Sequence, residues 1–245
     1  MEETKESIDA ANIVRALIDA GADIEAPDLE APDYRGWNPL INAAKSNSTE
    51  TVNVLIQAGA NLEARDVSGY TALFWAAHYN SMEAALALIQ VGADIEARSE
   101  SGQTALHLAA HWNAVRTIEA LIQAGANIEA RDKYGRRPLH ATGKTNAKDA
   151  ALTLISAGAD AQAKDNDFNR AYDLAYKAGA EETKQIIFAE IQRLYKLEEE
   201  HELLKAMKKK KTSKTAKTAK TAKTAKTAKT AKKAKKKTVK KPFAL

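Results

Sequence analysis

The chain has 245 residues, 44% of them hydrophobic, a formal net charge of +5 and no cysteine. The missing cysteines exclude disulfides and Cys-based zinc or nucleophile chemistry, and no run of about 18 apolar residues offers a membrane span. Charge is split: residues 205–245 carry 18 of the 37 basic residues and no acid, which leaves 19 basic against 32 acidic residues in 1–204, a net of −13.

From the N-terminus, Met-Glu-Glu-Thr-Lys-Glu-Ser is acidic and has no apolar core of a signal peptide, so an intracellular protein is expected. Residues 5–32 read as a partial capping unit, a helix pair over 5–27 ending at Gly21-Ala22. Gly-Ala then recurs at Gly59-Ala60, Gly92-Ala93, Gly125-Ala126 and Gly158-Ala159, a step of 33 residues. The first step, from Gly21 to Gly59, is 38, so five extra residues lie around Ala26-Pro27-Asp28-Leu29-Glu30. Asn47, Asn80, Asn113 and Asn146 keep the same period, as do Gly36, Gly69, Gly102 and Gly135. A period of this size marks a solenoid whose units bury their apolar faces only against neighbours.

Four full units are read at 33–65, 66–98, 99–131 and 132–164. In the second, Asp66 and Gly69 supply a turn, and Thr71 sits where it can cap a short helix over Leu73 to Ala77. Asn80 stops that helix, because Asn tolerates the left-handed conformation. Apolar residues 85, 86, 88 and 89 then follow at helical spacing, and Gly92 ends the second helix. The small pairs Ala43-Ala44, Ala76-Ala77 and Ala109-Ala110 allow close helix packing.

The closing unit, 165–204, has lost the pattern: Phe168 stands where the turn Gly should be, and Arg170-Ala171-Tyr172-Asp173 replaces the helix start. Residues 181–207 read as an extended cap helix, with a short coiled-coil dimerisation segment as the alternative; a mostly monomeric protein is expected. The last segment, 205–245, has nothing to bury and repels itself, so disorder is expected. Lys208, Lys209, Lys210 and Lys211 open it. Lys214, Lys217, Lys220, Lys223, Lys226 and Lys229 each begin a Lys-Thr-Ala triplet, and Lys232, Lys233, Lys235, Lys236, Lys237, Lys240 and Lys241 follow. Lysine at this density suits phosphate neutralisation on DNA or RNA without reading bases. An anionic membrane, a targeting or export signal, a solubilising role and masking of the acidic body remain the other readings.

The fragments Asn38-Pro39-Leu40-Ile41, Thr71-Ala72-Leu73-Phe74, Thr104-Ala105-Leu106-His107 and Arg137-Pro138-Leu139-His140 resemble the Thr-Pro-Leu-His signature of the ankyrin-repeat family over about residues 12 to 180. The resemblance implies an all-α solenoid of helix pairs with hairpin tips. It also implies protein partners met by the turn tips and the inner face of the first helices. Mapped by repeat position, that surface holds Tyr34, Arg35, Trp37, Tyr70, His78, Tyr79, His111, Trp112, Tyr134 and Arg136, and Tyr, Trp and Arg dominate interface hot spots. Trp37, Tyr70, Tyr79 and Trp112 are expected to form one exposed strip, with Trp75 in the core.

Enzyme chemistry finds no setting. There is no Gly-x-Ser-x-Gly and no phosphate loop. His107 and His111 lie four apart without an evident third ligand, and no metal or other cofactor is expected. The recurring Ile-Glu-Ala-Arg, with Glu96 and Glu129, reads as a solvated connector. The leading reading is a protein-binding scaffold with a nucleic-acid-binding tail; the alternative is a pure adaptor or secreted effector whose tail serves only targeting.

Overall fold

In the computed structural model of the chain, residues 5–26 and 36–205 are described. Ten bounded helices run α1 (Lys5–Asp19), α2 (Pro39–Lys45), α3 (Thr49–Gln57), α4 (Ala72–His78), α5 (Met82–Gln90), α6 (Ala105–His111), α7 (Val115–Gln123), α8 (Pro138–Thr145), α9 (Lys148–Ser156) and α10 (Ala171–Ala178). Residues 181–191 are also helical and complete the first of two compact units; residues 192–205, in the second, are helical as well. The described residues contain no strand, only one isolated bridge between Lys164 and Arg170. The solenoid expected from the period, all-α as the family resemblance implied, is what forms.

Within the first unit, α2, α4, α6, α8 and α10 pack successively as an inner row, and α1, α3, α5, α7 and α9 as an outer row. Where a helix pair was expected at 5–27, α1 is one continuous helix standing in the outer row. Its sequence, Lys5 to Asp19, has no Gly or Pro to break it. The core lies between the rows and is built of Leu and Ala columns, such as Leu40, Leu73, Leu106 and Leu139 with Ala44, Ala77 and Ala110, all buried.

Asn at the helix–helix joint does two jobs in each of the four full units. Asn47, Asn80, Asn113 and Asn146 adopt φ of 53°, 56°, 55° and 55°, a conformation costing most other L-residues roughly 1–2 kcal/mol. Their Oδ1 atoms then accept from the N–H of Ala84, Thr117, Ala150 and Thr183, each 37 residues on, at 2.8–3.2 Å. One side chain thus ends an inner helix and satisfies an orphan donor at the start of the next unit's outer helix. Phe168 shows what loss of the turn glycine costs: it is held at φ 63° with its ring 78% exposed.

A second ladder runs along the connectors. Glu25, Glu63, Glu96 and Glu129 accept through Oε1 from the N–H of Asn61, Asp94, Asn127 and Asp160 at 2.8–2.9 Å. Arg65 and Arg98 donate to the carbonyls of Arg98 and Arg131 at 2.6 and 2.7 Å. The expected solvated connector is therefore corrected: Glu96 and Glu129 are staples between units, because stacking brings each carboxylate onto a neighbour's free backbone N–H.

Gly143 occupies the α8 position held by Ala44, Ala77 and Ala110 elsewhere. A Cβ there would lie 2.7 Å from the Ala171 carbonyl oxygen and 3.0 Å from the Ala175 nitrogen. Gly143→Ala gains about 1 kcal/mol of helix propensity, but overpacking against rigid backbone costs about 1–3 kcal/mol. The variant should melt lower in a thermal scan; a higher midpoint would show that α8 and α10 can part without loss.

Candidate functional site

The inner row carries an aromatic network whose lower layer is buried. Trp37 and Trp75 meet edge to face with centroids 4.8 Å apart, and Trp75 donates from Nε1 to Asp66 Oδ2 at 3.0 Å. That bond ties the ring to the turn, since Asp66 Oδ1 accepts from the N–H of Ser68 and Tyr70 at 2.9 Å. Tyr70 stacks on Phe74 and lies edge-on to Trp75. Burial, reinforced by the Asp66 charge, pushes its hydroxyl above the usual tyrosine range. It stays neutral and protonated at physiological pH.

The upper layer faces outward. Tyr79 lies 6.1 Å from Trp75 and 4.5 Å from His78, and His78 contacts Trp112 at 4.3 Å. Trp112 in turn meets His111 at 5.1 Å. Tyr79 and Trp112 are 45% and 52% exposed. Lys45 Nζ stands 4.1 Å over the Trp37 ring and 5.5 Å from Tyr79, a cation–π geometry that fixes the ammonium at the network's edge.

The expected exposed strip therefore needs a correction at Trp37. It is only 8% exposed, because Trp75, large where the flanking units have Asn42 and Leu108, packs edge to face against it. Tyr70 is half-buried. Trp75 is core, as expected. Six of the ten sequence-derived residues, Trp37, Tyr70, His78, Tyr79, His111 and Trp112, join one network. Tyr134 and Arg136 form a separate pair at the fourth turn, the guanidinium 4.9 Å over the ring and 3.7 Å from the Asp165 carboxylate. Tyr34, Arg35 and the tail lysines from Lys208 to Lys241 lie outside the described residues.

The histidines divide by depth. Burial holds His107 and His140 below the usual imidazole range. His107 Nδ1 accepts from the Thr104 N–H at 3.1 Å, which leaves Nε2 protonated and donating to the Arg136 carbonyl at 3.0 Å. His140 repeats this with Arg137 and Asn169. Both nitrogens of His107 are thus engaged within the fold, and the i, i+4 pair with His111 is not a metal clamp. His111 is half-buried and depressed first by burial, then by the Lys144 charge. Burial and Arg136 hold the Lys144 ammonium below the lysine range.

The arrangement offers a surface for binding. The family model described as ankyrin repeats (3 copies) matches residues 6–99 and 92–165. The chain belongs to the ankyrin-repeat family. No match appears among curated proteins. As ankyrin repeats, these units support a protein–protein interaction role. Among the described residues, no helix is long and apolar enough to cross a membrane.

Sequence reading missed one member of this surface. Lys45, His78, His111, Lys144 and Lys177 follow one another at 33-residue steps, each in the last turn of its inner helix. Lys177 was legible from the period alone, but the degenerate closing unit hides it.

Proposed function

We propose that the solenoid captures a protein partner on its inner-helix face, through Tyr79 and Trp112 with Tyr70, His78, His111, Tyr134 and Arg136 around them, and that the C-terminal lysines add sequence-independent nucleic-acid binding. The observation that carries the first half is the two-layer ring network. Exposed Tyr79 rests on buried Trp75, and exposed Trp112 meets His78, whose ring in turn reaches Trp75. A supported aromatic pair loses little side-chain entropy on binding and presents apolar area with polar tips. Tyr34 and Arg35, at the repeat positions of Lys133 and Tyr134, belong to the same surface by sequence position. The second half rests on 18 lysines with no acid in 205–245.

Capture by the full chain, with and without nuclease, tests both halves. Trp112→Ala with Tyr79→Ala should weaken retention of a nuclease-resistant partner by about 30-fold, the scale of a hot spot worth 2 kcal/mol. Because both rings are already exposed, the thermal midpoint should stay within a few degrees. An equal loss of folding and capture would return these rings to the core and defeat the groove reading.

A further inference from the structure

The inner row begins one helix late, and the place left open has a defined shape. Among the described residues α1 packs against α3 and has no inner helix beside it. The other outer helices, α3, α5, α7 and α9, each pack against the inner helix of their own unit. The side chains of α1 show the consequence. Leu17 stands four residues before its Gly-Ala pair, as Leu55, Leu88, Leu121 and Leu154 do, and those four are buried. Leu17 is 54% exposed. Ile13, at the register of buried Thr51, Ala84, Thr117 and Ala150, is 61% exposed.

Between α1 and α2 runs an open cleft of about 480 Å³, lined by Ala10 and Val14 on one side and by Pro39, Asn42, Ala43 and Ser46 on the other. The four α2 residues share one helix face by their spacing. The closing end of the stack shows what sits on such a face. Ala171 and Ala175 hold the positions of Pro39 and Ala43 four units on, and the preceding inner helix brings Gly143 onto them. A Cβ on Gly143 would lie 2.7 Å from the Ala171 carbonyl oxygen and 3.4 Å from the Ala175 Cβ. Earlier units place Ala44, Ala77 and Ala110 at that position, with Leu40, Leu73, Leu106 and Leu139 buried four residues before. A helix that continues this interface across the cleft therefore needs a leucine and, four residues on, Ala or Gly on the same face. The inner helices have seven or eight residues, so two turns are enough.

Charge selects among such helices. Residues 9–26 hold four acids, Asp9, Asp19, Asp23 and Glu25, against one base, Arg15, all of them exposed. The bounding Lys45 is directed over the Trp37 and Tyr79 rings. A second copy would bring the same acids to the same place and repel. Its closing end does not fit either, because exposed Tyr176 stands where the stack needs the Gly143 or Ala110 position small.

We propose that the N-terminal end of the solenoid binds a basic amphipathic helix of a partner protein, which takes the open place in the inner row. Its leucine meets Ile13 and Leu17, its Ala or Gly seats on Pro39 and Ala43, and its basic residues face the acids of 9–26. The site does not rest on the groove reading, since Tyr79 and Trp112 do not line this cleft.

Trp37 also lines the cleft, so tryptophan emission of the full chain reports it. The lysine-rich C-terminal segment has no tryptophan and repels a basic probe. The probe is the capped peptide Thr-Pro-Leu-Ile-Lys-Lys-Ala-Lys-Lys, in which Leu and Ala keep the four-residue step. A saturable emission change is expected. Replacing the peptide's Ala by Leu, or its lysines by Gln, should weaken it about tenfold, the scale of one lost good contact. Leu17→Ser with Ile13→Ser should weaken it by about tenfold as well, with the thermal midpoint kept because both side chains are already exposed. Leu152→Ser, at a comparably exposed leucine of α9, should leave it unchanged.

Equal response to the Ala and Leu peptides, indifference to the Leu17 and Ile13 substitutions, or a Gln peptide that binds as well as the Lys one would overturn the proposal. So would no response up to about 1 mM peptide, the edge of specific affinity. A dimer in sedimentation that Leu17→Ser dissociates would overturn it in favour of a second copy in the cleft. None of these results touches partner capture through Tyr79 and Trp112, which is read in its own assay.

Discussion

His107→Ala should lower stability by about 3–5 kcal/mol, the largest single-residue effect expected in the repeats. The ring is 1% exposed and joins three groups: the Thr104 N–H, the Thr104 hydroxyl and the Arg136 carbonyl of the next unit. Alanine leaves a buried donor and acceptor unpaired, at about 1–3 kcal/mol each, and opens a cavity. The same bonds set a pH response. Burial, the largest cause, holds the folded pKa values of His107, His140 and His111 below that of the unfolded chain, which is near 6.5. Below about pH 6.5 the unfolded state binds more protons than the native state, so stability falls as pH falls through that window. It is fully present above it. Protonating His107 also removes the Nδ1 lone pair that accepts from Thr104. The thermal midpoint should drop between pH 7.5 and 5.5, and His107→Gln should flatten the slope. A midpoint unchanged over that range would show that the buried imidazoles are not held neutral.

Much of this fold was legible because each repeat position repeats a physical constraint. The four joint asparagines could be assigned left-handed backbone from residue type and spacing, and they adopt it. Gly69 and its counterparts were legible for the same reason. What sequence could not supply was anything that depends on contact between units. Glu96 reads as a solvated charge until stacking brings it to the Asn127 N–H. Trp37 maps to an outward turn position, yet its burial depends on the size of the residue at 75 in the next unit. Lys177 escaped the repeat mapping because the closing unit has lost the pattern around it, although it keeps the 33-residue step from Lys144. The closing unit was readable as degenerate, but the strain at Phe168 shows only in the folded backbone, at φ 63°.

The tail should give the full chain affinity for duplex DNA or RNA that is lost steeply with salt. Residues 205–245 hold 18 lysines and no acid, with Phe243 as the only aromatic. Base stacking therefore contributes little, and counterion release is the driving term. With on the order of ten lysines engaged, log K should fall with log salt at about −0.9 per phosphate neutralised. That is a loss of roughly 10³ to 10⁵ in affinity between about 50 and 200 mM salt. The body opposes this: its net of −13 repels the same polyanion, so an isolated 205–245 peptide should bind more tightly than the full chain. The gap should narrow as the Debye length shrinks from about 30 Å at 0.01 M to about 10 Å at 0.1 M. Exchanging the order of Lys, Thr and Ala within the triplets should matter little, because no base edge is read. Replacing alternate lysines by Gln should reduce affinity and slope together, since each removed cation removes a released counterion. Gel shifts across a salt series decide it: no shift at about 50 mM, or one that persists in molar salt, would mean that phosphate neutralisation is not what these lysines do.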